Sequence, residues 1–165
     1  MYITNAEMGA PWMPGELIPY GDMKISPAAG VLNYGQGLFE GMKAYRTSQN
    51  RVVFFRPEEN ARRMQRGADR LKMPPVPESI FIDAVEQCVK ANLRWLPPMG
   101  KGAMYVRPLL MGSGPILGVA PAPSYRFLVY VTPVGPYFKG GVKTIDLLIS
   151  DVHHRAAPGG SGGVK

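Results

Sequence analysis

Phe39-Glu40-Gly41-Met42-Lys43-Ala44-Tyr45-Arg46-Thr47-Ser48-Gln49-Asn50-Arg51-Val52-Val53-Phe54-Phe55-Arg56-Pro57-Glu58-Glu59-Asn60-Ala61-Arg62-Arg63-Met64 passes from strand-like alternation to helical spacing, and that passage decides the fold. Phe39 to Tyr45 alternates as a half-buried strand does, and Val52-Val53-Phe54-Phe55 is a β-branched and aromatic run. The polar Thr47-Ser48-Gln49-Asn50 between them predicts a hairpin. Pro57 is tolerated as a first helical residue, and Glu58 and Glu59 suit the positive end of a helix dipole. Ala61, Met64, Ala68 and Leu71 then recur at helical spacing, which predicts an amphipathic helix to about Leu71.

Outward from this stretch the pattern continues. Met73-Pro74-Pro75-Val76-Pro77 breaks the helix, and a second is expected from about Glu78 to Trp95, with Phe81, Val85, Cys88 and Val89 on one face. Strand-like runs follow at Ala103 to Leu110, Arg126 to Thr132 and Thr144 to Ile149. Residues 1–30, rich in Gly, Pro and Met, read as short strands and turns at Leu17 to Tyr20 and Met23 to Ile25. Strands, then two helices, then strands joined as hairpins predict an α+β domain with a largely antiparallel sheet. Gly135 to Val142 resembles a linker.

Composition narrows the function. A length of 165 residues fits about one domain, and the 45% apolar share suffices for a folded core. No apolar run approaches the roughly 18 residues that cross a bilayer. Met1-Tyr2-Ile3-Thr4-Asn5 lacks a charged start, an apolar stretch and a cleavage site, so neither a secretory signal nor an organellar transit peptide is expected in this chain. Cys88 is the single cysteine, which excludes an internal disulfide and a Cys-clustered zinc site. The net charge of +7 favours anionic ligands, but no nucleic-acid reader motif or stacking platform accompanies it.

The C-terminal run His154-Arg155-Ala156-Ala157-Pro158-Gly159-Gly160-Ser161-Gly162-Gly163-Val164-Lys165 presents a lysine on a loop of small residues. An amine that must reach a cofactor aldehyde needs such a backbone, able to close tightly around a ring and phosphate. Val31 to Arg46 (Val-Leu-Asn-Tyr-Gly-Gln-Gly-Leu-Phe-Glu-Gly-Met-Lys-Ala-Tyr-Arg) resembles the signature of the branched-chain amino-acid aminotransferases, fold-type IV enzymes using pyridoxal 5′-phosphate (PLP). Three further blocks match in order: Phe55-Arg56-Pro57 through Asn60, Arg63 and Met64; Gly100-Lys101-Gly102 through Tyr105-Val106-Arg107-Pro108-Leu109; and Arg155 to Lys165. The Pro97-Pro98 and Gly100-Lys101-Gly102 segment before Tyr105, together with the Gly-Gly-Ser-Gly-Gly-Val-Lys loop, is most similar to plant-type members.

The resemblance implies roles for particular residues. Lys165 would hold PLP covalently and then serve as general base and acid in the proton shift of transamination. Arg63 would bind the cofactor phosphate through its bidentate fork, although spacing alone leaves Arg62, Arg66 and Arg70 equal to it. Tyr34 and Phe39 would wall an apolar pocket for Leu, Ile or Val. Tyr105 and Arg107, alternate residues of one strand, would meet the substrate carboxylate and so admit glutamate and 2-oxoglutarate as well. Leu117 matches a loop that reaches the neighbouring subunit's site in a homodimer.

The same resemblance implies a small N-terminal domain over 1–138, a linker and the first strand of a large domain over 139–152, and a segment over 153–165 ending at the PLP lysine. The family's further cofactor partners, a tyrosine, a glutamate at the pyridine nitrogen and the phosphate-binding turns, would follow Lys165, so this chain alone is expected to be inactive. Cytoplasm, plastid and mitochondrion all remain open for the parent enzyme. Two rival readings are a non-catalytic module pairing with a full-length subunit, and a related fold-type IV enzyme such as a D-amino-acid aminotransferase or an aminodeoxychorismate lyase. Gly159-Gly160-Ser161-Gly162-Gly163 fits a nucleophile-elbow pattern but lacks the strand-to-helix context, and a phosphate-loop reading fails because Val164 precedes the lysine. His153 and His154 are adjacent and make a poor metal pair.

Overall fold

The computed structural model describes residues 1–138, 141 and 144–165. Its elements in chain order are β1 (Tyr2–Glu7), β2 (Glu16–Leu17), α1 (Gly30–Tyr34), β3 (Gly37–Phe39), β4 (Met42–Arg46), β5 (Val52–Phe54), α2 (Pro57–Arg70), α3 (Glu78–Ala91), β6 (Ala103–Gly112) and β7 (Ser124–Val134). The seven strands make one antiparallel sheet in the order β2-β1-β7-β6-β4-β5, with β3 also on β6. The α+β, mainly antiparallel expectation holds.

The β4–β5 hairpin closes where the polar turn predicts it. The Thr47 N–H donates to Arg51 O at 2.8 Å, and Asn50 takes the left-handed conformation at φ 60° that its short amide tolerates. Helix α2 starts on Pro57, whose missing N–H is no loss in a first turn. It buries Ala61, Met64, Gly67 and Ala68 against the sheet. Helix α3 lays Phe81, Val85, Cys88 and Val89 on the same sheet face, and Phe81 stacks on Phe127 of β7 at a centroid distance of 5.9 Å. Leu38, Met42, Ala44, Met104, Val106 and Leu110 complete that core from the strands.

Period-two alternation sends the other side chains of β3, β4 and β6 to the face away from the helices. Phe39, Lys43, Tyr105, Arg107 and Leu109 are therefore partly or largely exposed there, while their neighbours in sequence are buried.

No strand forms at Met23 to Ile25, and four further expectations need correcting. The continuous strand from Phe39 to Tyr45 is divided into β3 and β4, although both keep one register on β6, Phe39 opposite Leu109 and Met42 opposite Val106. The gap faces Pro108: the Glu40 N–H donates to Pro108 O at 2.8 Å, but proline has no N–H to return the bond. A short helix, α1, forms over Gly30–Tyr34, closed by Gly35 in the left-handed conformation, where only turns and strands were expected nearby. Helix α3 ends at Ala91 rather than Trp95, because Asn92 Nδ2 donates to Cys88 O at 2.8 Å and the chain tightens into a 3-10 turn over Leu93–Trp95.

The fourth correction concerns residues 144–149, the expected first strand of a second domain, which form no strand. A strand needs a partner for its backbone groups, and the exposed Leu147, Leu148 and Ile149 have none among the described residues. Lys139, Gly140, Val142 and Lys143 of the expected linker lie outside the described residues.

Candidate active site

The open sheet face gathers four of the residues singled out by sequence. Arg107 stands over the Phe39 ring, its guanidinium carbon 4.2 Å from the centroid, and over the Tyr105 ring at 5.2 Å. Its Nη2 donates to the Tyr105 hydroxyl at 2.9 Å. Lys165 completes the group, with Nζ 5.5 Å from the Phe39 centroid. An aromatic face flanked by two cations, with further N–H donors still open on the guanidinium, can receive a carboxylate beside an apolar group.

Gly41 is the reason Tyr105 can occupy this position. It lies opposite Arg107 in the register of β6, and a methyl group added there would collide with the Tyr105 hydroxyl.

Lys165 reaches the face because its loop docks on α2 and β3. The Phe39 N–H donates to the main-chain oxygen of Lys165 at 2.9 Å, Arg70 Nη2 donates to Gly159 O at 3.1 Å, and Val164 packs over Gly67 and Leu38. Gly67, a poor helix former in mid-helix, leaves the space that Val164 fills.

Arg63 sits one layer below. Its Nε and Nη2 donate to Glu40 Oε1 and Oε2, each at 2.6 Å, in a side-on bidentate pair. Glu40 is fully buried, and it also accepts from Asn60 Nδ2 at 2.8 Å and from the Gly41 N–H at 3.3 Å. The hydrogen bonds it donates to Glu40 hold the Arg63 guanidinium above its already high ordinary pKa, burial opposing them. The structure thus separates arginines that spacing left equal. Arg62 is exposed and pairs with Glu59 at 2.8 Å and Glu78 at 3.2 Å, Arg70 holds the loop backbone, and only Arg63 has a buried partner among the described residues.

Two singled-out residues lie elsewhere. Tyr34 ends α1 and lines a shallow hollow of about 280 Å³ with Gln36, Leu71, Lys72 and the Val119 to Pro121 stretch. Leu117 is exposed on the β6–β7 connection.

Across all 165 residues the chain is 58% identical to the branched-chain amino acid aminotransferase 2, chloroplastic, of Humulus lupulus, covering 40% of that protein. It is 56% identical to the chloroplastic branched-chain-amino-acid aminotransferase 3 of Arabidopsis thaliana, again over the whole chain and 40% of the relative. Over its full length the chain is homologous to the branched-chain aminotransferases. It spans about 40% of the length of these curated relatives. No protein-family model matches. Among solved structures, the Escherichia coli branched-chain amino acid aminotransferase matches with a TM-score of 0.63 at 23% identity, over 76% of this chain and 40% of that one. A second branched-chain amino acid aminotransferase, from T.th. and solved with pyridoxamine 5′-phosphate, matches with a TM-score of 0.60 at 27% identity, over 83% and 41%. The sheet with its three helices is the fold of part of those structures.

Sequence reasoning missed Glu40, Asn60 and Gln36 in this branched-chain aminotransferase homologue. The signal for Glu40 was available: Leu38, Glu40, Met42 and Ala44 alternate inward, so a carboxylate stands at a core position and demands a cation. Gln36 gives no such signal. Its Oε1 accepts from the buried Ala122 N–H at 2.9 Å and its Nε2 donates to Leu71 O at 3.1 Å, joining segments far apart in sequence.

Proposed function

We propose that this chain forms the small domain and lysine loop of a PLP-dependent transaminase, which moves the amino group of Leu, Ile or Val to 2-oxoglutarate. The observation that carries this reading is the attachment of Lys165 and Arg63 to consecutive residues, Phe39 through its backbone and Glu40 through its carboxylate. The loop that carries the amine and the helix that carries the guanidinium are thus both anchored at one end of β3, as a cofactor with an aldehyde and a phosphate requires of its two anchors. The donor set fits that cofactor. With Nε and one Nη2 hydrogen given to Glu40, Arg63 keeps the second Nη2 hydrogen and both on Nη1, a second fork for a phosphate.

When bound, PLP supplies an electron sink for the amino acid's α-carbon. Lys165 would hold the cofactor and move the α-proton at its Nζ. Phe39 would border the apolar side chain, each buried methylene contributing about 0.8 kcal/mol, whereas Tyr34 faces the separate hollow beside Leu71. Arg107, oriented by Tyr105, would bind the carboxylate of glutamate or 2-oxoglutarate. Leu117, exposed on its loop, would reach the second subunit of a homodimer. Residues 1–138 would be the small domain, 139–152 the linker and start of a large domain, and 153–165 the segment delivering the lysine.

The test uses a holoenzyme in which this chain is continued past Lys165 by the remainder of the Humulus lupulus relative. Formation of 4-methyl-2-oxopentanoate from leucine and 2-oxoglutarate is expected, with complete loss in Lys165→Ala. A folded holoenzyme without that activity would sink the proposal.

A further inference from the structure

We propose that Glu40 is a positioning residue for the phosphate end of the cofactor, acting by fixing which fork of Arg63 faces outward; this rests on the assignment of Arg63 above. A fully buried carboxylate between Leu38 and Met42 in the core face of a strand is unfavourable unless every oxygen is paired. Here both oxygens are engaged by four donors: Arg63 Nε and Nη2 at 2.6 Å, Asn60 Nδ2 at 2.8 Å and the Gly41 N–H at 3.3 Å.

Such saturation leaves Glu40 one geometry, set by the backbone of the β3–β4 junction and by Asn60, one turn before Arg63 on α2. The guanidinium inherits that geometry. Its side-on edge is consumed, and its end-on edge, Nη1 with the remaining Nη2 hydrogen, points away from the carboxylate. An unrestrained arginine loses rotamer freedom when it grips a phosphate. Arg63 has lost that freedom in advance, and it cannot turn to the surface carboxylates that hold Arg62.

Asn60 and Gly41 also donate to Oε2, the oxygen that Arg63 Nη2 reaches, so the carboxylate is satisfied by more than Arg63. The side chain of Arg63 stays 45% exposed while its partner is 0% exposed, which leaves a restrained cation at an accessible surface.

The test titrates the apoenzyme of the extended chain described above with PLP and, separately, with pyridoxal, which lacks the phosphate. Glu40→Gln keeps the volume but turns an NH2 group toward a guanidinium donor. PLP affinity is expected to fall roughly tenfold or more, with pyridoxal affinity unchanged. Adding Glu40→Gln to Arg63→Ala should have no further effect, and Glu59→Gln, whose carboxylate pairs with exposed Arg56 and Arg62, should match the wild type.

Thermal melting establishes that each variant is folded. Should Glu40→Gln not fold, Glu40→Asp, which keeps the charge but shortens its reach by one methylene, carries the same comparison. Unaltered or tighter PLP binding in the folded Glu40 variant, or equal losses for PLP and pyridoxal, would overturn the proposal. Unaltered PLP binding in Arg63→Ala would overturn the assignment of Arg63 itself, and Glu40 with it.

Discussion

The backbone N–H of Phe39 donates to the main-chain oxygen of Lys165 at 2.9 Å, so the C-terminal loop is held by a strand on the far side of the sequence. The contact extends the hydrogen bonding of β3 beyond the sheet and places the Lys165 amine at the same aromatic ring as Arg107. Because the bond is made by backbone atoms, side-chain substitutions at either residue leave it intact. What can break it is the packing beneath the loop.

Gly67 tests that packing. A methyl group there would meet Val164 at 3.4 Å and Leu38 at 3.5 Å, ordinary contact distances, and alanine favours mid-helix positions by about 1 kcal/mol. Gly67→Ala should therefore stabilise the chain and keep the loop docked. Gly67→Leu has no such room and should undock residues 159–165. Hydrogen exchange at Phe39 and limited proteolysis of the loop distinguish them: protection retained in Gly67→Leu would show that the loop does not depend on this site.

Among the arginines of α2, only Arg63→Ala should weaken PLP binding to the apoenzyme of the extended chain strongly. Loss of a charge-assisted contact costs about 1.5–3 kcal/mol, whereas trimming an exposed ion-paired arginine such as Arg62 costs about 0–1 kcal/mol. Arg66→Ala serves as a second control. Equal dissociation constants for the three variants would move the phosphate away from Arg63.

Much of this was legible in the sequence, for physical reasons that also mark where legibility stopped. The hairpin and α2 announce themselves through local signals, a polar turn, a proline and helical spacing, and both appear with nearly the expected bounds. Phe39, Tyr105 and Arg107 converge because strand alternation carries them to one face. The split between β3 and β4 was not local: it depends on Pro108, a residue whose pairing partner is fixed only by the sheet register. Arg63 was indistinguishable from its neighbours because its distinction, a buried carboxylate from another element, exists only once α2 packs on β3. Tyr34 was expected beside Phe39, yet Gly35 turns the chain between them and Tyr34 borders a separate hollow.

Gln36 provides a stability test of a residue with no sequence signal. Replacing it by leucine preserves bulk but strands the buried Ala122 N–H and removes the partner of Leu71 O. An unsatisfied buried group costs about 1–3 kcal/mol, so Gln36→Leu should lower the urea midpoint by a corresponding amount. Faster hydrogen exchange at Ala122 should accompany it. A midpoint equal to wild type would indicate that another donor or acceptor replaces the amide.

Stability should also decline in alkali. Burial pushes the Cys88 thiol and the Tyr125 hydroxyl above their usual pKa values, and burial followed by Asp83 does the same for Tyr2. All three are neutral when protonated. The folded state therefore holds these protons more tightly than the unfolded state, and its advantage is complete below the ordinary pKa and lost as pH rises through the folded one. Urea midpoints should fall from about pH 9 upward, where a free thiol ionises. Cys88→Ala should flatten the first part of that decline and Tyr125→Phe the later part. A midpoint that stays constant to about pH 11, beyond the ordinary tyrosine value, would contradict the burial of these groups.

The last prediction concerns association of the chain by itself. Leu117 is 79% exposed and Val119 fully so, while Tyr34 and Phe39 are about half and a third exposed, and Leu147, Leu148 and Ile149 stand almost free of contacts. Burying such side chains is favourable by about 25 cal/mol for each Å² of apolar surface removed from water. The +7 charge opposes self-association through long-range repulsion, which salt screens with a Debye length of about 8 Å at physiological ionic strength. Apolar attraction is not screened. Association should therefore increase as salt is raised from low to physiological levels, the reverse of a charge-driven complex. Light scattering and dye binding to apolar surface, followed across that range, decide the matter. A monodisperse monomer with low dye binding at every salt concentration would show that these side chains need no further cover.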